Sequence, residues 1–291
     1  MVDLFLKYLQ FEKRYSAKTV AAYQTDLLQF EGFVQRAYES ETTAANFGMV
    51  RSWIASLSEA EINTNSINRK IATLRSYYKF LVREAHLDHN PMTKVRVLKV
   101  KKKLPQFVNE GDMVQVLDRV VFGEDWEGLR DRLILELFYG TGIRLAELIQ
   151  LKDADVRLRD CTVRVLGKRN KERVVPFPAS LVPLVERYRD ARNREVTKQS
   201  HALFFTTQKG TAMYPMLVQR LVKKYLSPAA CEKKSPHVLR HTYATHLLNK
   251  GAEINAVKDL LGHTSLAATQ VYTHNTIDKL KKIFNDAHPK A

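Results

Sequence analysis

The stretch Ser235-Pro-His-Val-Leu-Arg-His-Thr-Tyr-Ala-Thr-His246 reads as the opening of a helix, and the rest of the chain can be organised around it. Pro236 suits the first helical position, where its missing N–H would have no intrahelical partner anyway. His237 and Arg240 then stand at i and i+3, on one face and one turn apart. Val238, Leu239, Tyr243, Ala244, Leu247 and Leu248 are available to bury the remaining surface. An imidazole and a guanidinium side by side on a rigid element form a receptor for an anion such as phosphate. Taken alone, a capping histidine and a solvated arginine would explain the same letters. Motifs elsewhere in the chain decide the matter.

The partner suggested by composition is a polyanion. The formal net charge is +16 over 291 residues, with 45% hydrophobic content, as in a globular protein with more than one core. A basic protein can also favour an anionic membrane, but no basic amphipathic helix, lipid signal or apolar run of about 20 residues is found. The opening residues meet charge too soon for a secretory signal. Cys161 and Cys231 lie far apart and suggest no disulfide framework, which fits a reducing, cytoplasmic setting.

Residues 1–93 read as an all-helical, basic unit. Its helices are expected over Asp3–Glu12, from an N-cap at Ser16 through Val34, over Val50–Leu57, and from a cap at Ser66 to Asn90-Pro91. On the last of these, Arg69, Lys70, Arg75 and Lys79 are read as available to solvent or phosphate. Residues 94–106 are lysine-rich and lose helical periodicity, so they read as an interdomain linker. Residues 107–291 form the larger unit. Asn109 is expected to cap a helix running through Val121. Trp126–Tyr139 is expected to be an apolar helix stopped by Gly140, and Ile143–Ile149 a short helix carrying Arg144 and Glu147 at i and i+3. Strands are expected at 156–158, 162–166 and 173–177, the last two forming a hairpin whose basic tip holds Lys168. A further strand is expected at His201–Thr207. Helices are expected at Leu181–Asp190, Met216–Leu226, Ile254–Leu261 and Ile277–Phe284, with a short helix or turn at Leu266–Tyr272. The fold class is therefore mainly α with a small antiparallel β-sheet: an N-terminal helical domain and a C-terminal α+β domain.

If Arg144, Arg240, His237 and His263 converge, they form a pocket of planar donors for a phosphate gaining negative charge. Two guanidiniums can clamp the non-bridging oxygens of a pentacoordinate phosphorus. Such a pocket calls for no metal or other cofactor, and no paired carboxylates stand out as holders of two Mg²⁺ ions. Tyr272 offers a nucleophile once nearby cations and a base make its phenol more reactive. Lys168 can protonate the leaving 5′ oxygen. Each residue has an ordinary alternative role: there are twelve tyrosines, a hairpin lysine is usually solvated, and Arg144–Glu147 can be a simple helical ion pair.

Their order and spacing are more specific. Thr141-Gly-Ile-Arg144…Glu147, Gly167-Lys168…Asn-Lys-Glu-Arg173, His237-Val-Leu-Arg-His241 and Leu261-Gly-His263…Tyr272 together resemble the tyrosine recombinase (phage-integrase) family, and within it the XerC/XerD branch that resolves chromosome dimers. Ser16-Ala-Lys-Thr19…Tyr23…Asp26-Leu27…Phe30 extends the likeness into the first unit. The resemblance implies that Arg144, Lys168, His237, Arg240 and His263 form the activating set, with Tyr272 as nucleophile and Glu147 in support. It further implies a core-binding first domain, a catalytic second domain, a 3′-phosphotyrosyl intermediate and a free 5′-hydroxyl. The implied partners are a double-stranded DNA recombination site, a homotetramer or a heterotetramer with a paralogous recombinase, and a DNA translocase at the septum. In the family the last helix docks on a neighbouring protomer. Arg169 stands where such chains often have glycine, Ala267-Ala268 replaces a more hydroxyl-rich run, and His241 and His246 read as structural. The first helical unit begins in the opening residues, which leaves no room for an arm-binding domain and favours the Xer type over a mobile-element integrase. A type IB topoisomerase, a catalytically silent DNA-binding protein and a zinc hydrolase using His237 and His241 are the other readings. The zinc site lacks the expected glutamate base.

Overall fold

The structure is a computed structural model that describes residues 1–100, 106–167, 171–196, 202–262, 284 and 286–289. The chain divides into two compact units, Met1–Lys103 and Leu104–Ala291.

The first unit is built from helices α1 (Val2–Lys7, continued by a π-helical turn at Tyr8–Glu12), α2 (Ala17–Tyr38), α3 (Phe47–Glu59) and α4 (Thr64–Arg83). Ser16 caps α2, its hydroxyl accepting the Thr19 N–H at 3.3 Å. The cap of α4 is Asn63 rather than Ser66: its side chain accepts the Asn65 N–H at 2.9 Å, and Ser66 lies inside the first turn. Phe5, Leu27, Phe30, Trp53, Leu74 and Tyr78 are buried in the core. Lys70 is not available to phosphate as the sequence suggested. It turns inward to the fully buried Asp26, donating at 2.9 Å, while Thr73 donates to the same carboxylate at 3.0 Å and Arg69 pairs with it from the surface. Arg75 likewise donates to the carbonyl of Val95 at 2.8 Å. Met92 and Val95 join the core, and the Asn68 amide clasps Leu98 through both its backbone groups at 2.9 and 2.8 Å. The basic stretch expected as a linker thus begins fastened to this unit.

The second unit opens with α5 (Glu110–Val114), capped by Asn109. A π-helical turn at Gln115–Arg119 follows, and Val120 already has extended backbone, so the helix ends short of Val121. Helix α6 (Trp126–Thr141) is buried on nearly every side. Gly140, the expected stop, lies within it: a Cβ there would come within 2.9 Å of Pro178, so that glycine permits close packing. The chain reverses instead at Gly142, at φ +61°, where a Cβ would meet the Tyr243 ring at 2.4 Å. Helix α7 (Leu145–Gln150) leads into strands β1 (Val156–Arg157), β2 (Thr162–Leu166) and β3 (Glu172–Pro176). These form an antiparallel sheet in the order β1-β2-β3, with Val163 opposite Val175 and Val165 opposite Arg173.

Helix α8 (Val182–Glu195) follows the sheet. The stretch expected as a strand at His201–Thr207 makes only isolated bridges at Leu203 and Thr206 among its described residues. Neighbouring Phe204 and Phe205 are both fully buried there, which breaks the alternation of a strand. Helices α9 (Pro215–Tyr225), α10 (Pro236–Asn249) and α11 (Ile254–Leu261) complete the described elements. Helix α6 packs on α8 and α10, and α10 packs on α9 and α11, around Leu133, Phe138, Tyr188 and Leu239. A smaller core gathers Tyr243, Leu247, Leu260 and Phe284. The element expected at Leu266–Tyr272 and all but Phe284 of the helix expected at Ile277–Phe284 lie outside the described residues. Among those described, no helix is long and apolar enough to cross a membrane. The fold is mainly α with one small antiparallel sheet.

Candidate active site

Ser235 accepts the Val238 N–H at 3.4 Å and Pro236 occupies the first turn of α10, as read from the sequence. This start sets the rotation of the helix and directs Arg240 inward, where only 6% of it is exposed. Its guanidinium donates to the carbonyl of Gly142 at 2.6 Å and to that of Leu261 at 2.5 Å. Both carbonyls are free because each belongs to the end of a helix, α6 and α11, where no further turn takes them up.

Arg144 stands just before α7. Its backbone N–H donates to Glu147 Oε2 at 2.7 Å, so Glu147 closes the helix start, and its Nη1 donates to Oε1 at 2.9 Å. Its Nη2 reaches the carbonyl of Gly262 at 3.1 Å. Glu147 is buried and also holds Arg173 of β3 in a two-pronged pair, at 2.7 and 2.9 Å. Arg173 in turn donates from Nε to the carbonyl of Leu260 at 3.1 Å. Three arginines from three separate elements therefore hold three successive carbonyls, Leu260, Leu261 and Gly262, at the carboxyl end of α11. That end carries the partial negative charge of the helix.

The electrostatics of this junction are lopsided. Of the three guanidiniums, Arg144 and Arg173 share the Glu147 carboxylate, and Arg240 has no carboxylate partner among the described residues. Burial, followed by the charges of Arg144 and Arg173, pushes the Arg240 pKa down to about 10. It is still protonated at neutral pH. Burial works to raise the Glu147 pKa, but the hydrogen bonds and charge of Arg173, with the hydrogen bonds of Arg144, outweigh it and hold the carboxyl below its ordinary range.

His237 is exposed on the same helix, and its Nε2 lies 3.0 Å from Nε2 of His241, so one ring donates and the other accepts. His241 is lowered below the ordinary histidine range by burial, then by His237 and Arg240. It is thus bonded to a predicted site residue, beyond the structural role read for it. His246 packs inside, its Nδ1 2.9 Å from the Tyr139 hydroxyl.

Of the six residues predicted for the site, Arg144 and Arg240 meet at the α11 terminus, and His237 stands one turn from Arg240. Lys168, His263 and Tyr272 lie outside the described residues. Their described neighbours border the junction. Gly167, just before Lys168, closes its hairpin onto the Lys171 carbonyl at 2.8 Å, and a Cβ on it would lie 3.7 Å from Arg173 Nη1 and 3.9 Å from Glu147 Oε1. Gly262, just before His263, is held by Arg144. Sequence reasoning gave Arg173 no role. The available signal was strand periodicity: Arg173 shares a face with the buried Val175, and an inward arginine requires an acid such as Glu147.

Comparison with known proteins agrees with this layout. Residues 108–279 match the profile described as "Phage integrase family", and residues 2–85 match "Phage integrase, N-terminal SAM-like domain". The chain is 38% identical to tyrosine recombinase XerC of Chlorobaculum parvum, over 100% of this chain and 94% of that protein. It is 38% identical to XerC of Listeria monocytogenes (99% and 97% covered) and 33% identical to tyrosine recombinase XerD of Staphylococcus haemolyticus (100% and 99%). In fold it is similar to XerH site-specific recombinase bound to a palindromic difH substrate, with a TM-score of 0.74, 21% identity, and 97% of this chain and 83% of that one covered. It is also similar to a lambda integrase dimer bound to a COC′ core site, with a TM-score of 0.67, 16% identity, and 93% and 98% covered. On profiles that match both units and relatives that match from end to end, the chain belongs to the tyrosine recombinase (phage integrase) family.

Proposed function

We propose that this protein is a site-specific DNA recombinase that cuts and rejoins strands through a 3′-phosphotyrosyl intermediate. The observation that carries this reading is the pair Arg144–Arg240. Two guanidiniums, one buried without a carboxylate, rest on peptide carbonyls beside the residue that precedes His263. A peptide oxygen carries only partial charge, so a phosphate offers both arginines a better acceptor.

In this reading the scissile phosphate replaces the carbonyls. Arg144 and Arg240 take its non-bridging oxygens, and His237 and His263 complete the donor set. The Tyr272 phenol attacks phosphorus, giving up its proton to a neighbouring base, and the P–Oη bond forms as the bond to the 5′ oxygen breaks. Lys168 protonates that oxygen as it leaves. Religation is the same path in reverse, with a 5′-hydroxyl from the partner strand as the attacking group.

The XerC and XerD relatives support a role in resolving chromosome dimers. The proposal extends to action at a double-stranded recombination site by four protomers, identical or paired with a paralogue, in the cytoplasm and under a septal DNA translocase. Residues 1–93 are then the core-binding domain, joined by 94–106 to the catalytic domain, 107–291. The test is covalent trapping on a nicked suicide substrate carrying the source genome's recombination site. Wild-type protein forms a denaturation-resistant adduct, while Tyr272→Phe binds the same DNA and forms none. An adduct at normal yield from Tyr272→Phe would overturn the assignment of the nucleophile.

A further inference from the structure

We infer that Arg173 is a positioning residue for strand cleavage: it occupies the Glu147 carboxylate so that Arg144 keeps its charge for the phosphate, and it seats the chain that leads to His263. This inference rests on the recombinase reading above.

Arg173 is committed to contacts inside the protein. It is 5% exposed, and all three of its guanidinium nitrogens donate inside the protein: Nη1 and Nη2 to Glu147 at 2.7 and 2.9 Å, and Nε to the Leu260 carbonyl at 3.1 Å. Stability alone is a weak reason for this arrangement. Position 173 faces the core beside Val175 and opposite Val165, where an apolar side chain would pack. Replacing a buried ion pair with apolar groups is often neutral or stabilising. What an apolar residue cannot do is compete for Glu147.

That competition is visible at Oε1, which accepts from Arg144 Nη1 at 2.9 Å and Arg173 Nη1 at 2.7 Å. With Arg173 absent, both carboxylate oxygens would be open to Arg144, whose guanidinium fork matches them. Arg144 would then be neutralised and its Nη2 drawn from Gly262. With Arg173 present, the carboxylate is matched by a buried cation, and the charges of Arg144 and Arg240 remain in excess. A phosphorus centre gaining negative charge needs that excess.

The same side chain shapes the approach to the nucleophile segment. Gly262 has φ +63°, and a Cβ on it would lie 3.0 Å from Arg173 Cδ and 3.1 Å from Cζ and Nε. Gly262 therefore lies directly against the Arg173 side chain, and its positive φ and this close approach both favour glycine.

The experiment measures DNA affinity, melting temperature and the single-turnover rate of adduct formation on the nicked suicide substrate, at a temperature where every variant is folded. Arg173→Met is expected to bind DNA within about threefold of wild type and to cleave about 10²-fold more slowly, as for loss of one transition-state donor. Arg173→Lys, which keeps the charge but loses the fork, should lie between the two and carries the test if Arg173→Met does not fold. The decisive comparison is Arg173→Met with Glu147→Gln. Removing the carboxylate frees Arg144, so the double variant should cleave about tenfold or more faster than Arg173→Met alone. A purely structural role predicts no gain in rate per folded molecule. Wild-type rate in both single variants, a loss accounted for by DNA affinity, or a double variant no faster than Arg173→Met would overturn the inference while leaving the recombinase reading intact. A wild-type protein that forms no adduct would sink both.

Discussion

Each unit has a buried carboxylate met by several cationic or polar side chains, Asp26 in the first and Glu147 in the second, and the two clusters end differently. In the first, Asp26 is met by Lys70, Thr73 and Arg69, and Lys70 also bonds to the Gln29 side chain. Its outer cation, Arg69, is half exposed and screened by water. In the second, Glu147 is met by Arg144 and Arg173, and Arg240 is added with backbone carbonyls as its only described acceptors. Side chains that close on one another lock two helices together. Cations left on peptide oxygens remain available for exchange with an anion. In the proposed reading, buried charge serves packing in the first unit and receptivity to phosphate in the second.

The comparison can be broken most forcefully at Asp26. Asp26→Ala strands Lys70 inside the first unit, and uncompensated burial of this kind costs about 3–5 kcal/mol. Urea denaturation should show that loss in the first unit while the second keeps its midpoint. A change below 1 kcal/mol would mean that the Asp26 cluster is not a structural lock. Arg240→Gln should behave in the opposite way. Adduct formation should fall by about 10²–10³, as for a lost oxyanion donor. Melting temperature should hold or rise, because repulsion from Arg144 and Arg173 is relieved. A stability loss as large as that of Asp26→Ala would erase the distinction.

The smallest effect concerns acid. The folded pKa of Glu147 lies below its unfolded value, so below about pH 4.3 the unfolded chain binds the extra proton. The stability this group contributes is present above that pH and is lost as pH falls through the depressed value. Glu147→Gln should flatten that part of the stability–pH curve of the second unit, and an unchanged slope would place the acid sensitivity elsewhere.

Local signals carried much of this architecture. The Ser235 cap, Pro236 and the i, i+3 placement of His237 and Arg240 all follow from neighbours in sequence, and the β2–β3 hairpin follows from its alternation and basic tip. Errors arose where two local candidates competed and distant contacts decided. Asn63 and Ser66 are both good caps, and Gly140 and Gly142 can both end a helix. Pro178 and Tyr243, far along the chain, determine which glycine turns. Lys70 reads as solvated and Arg173 carries no role in the sequence because their acids lie 44 and 26 residues away. Glu147 reads from the sequence as a helical ion pair with Arg144, whereas its two-pronged bond to Arg173 comes from a strand 26 residues further on.

The three carbonyls at the end of α11 also bear on how such a protein rests between encounters. Neutral visitors, water included, gain little by displacing a peptide oxygen from a guanidinium, whereas a full negative charge gains much. In the proposed reading, a main chain that already occupies these arginines sets a threshold that a phosphate passes and a neutral molecule does not.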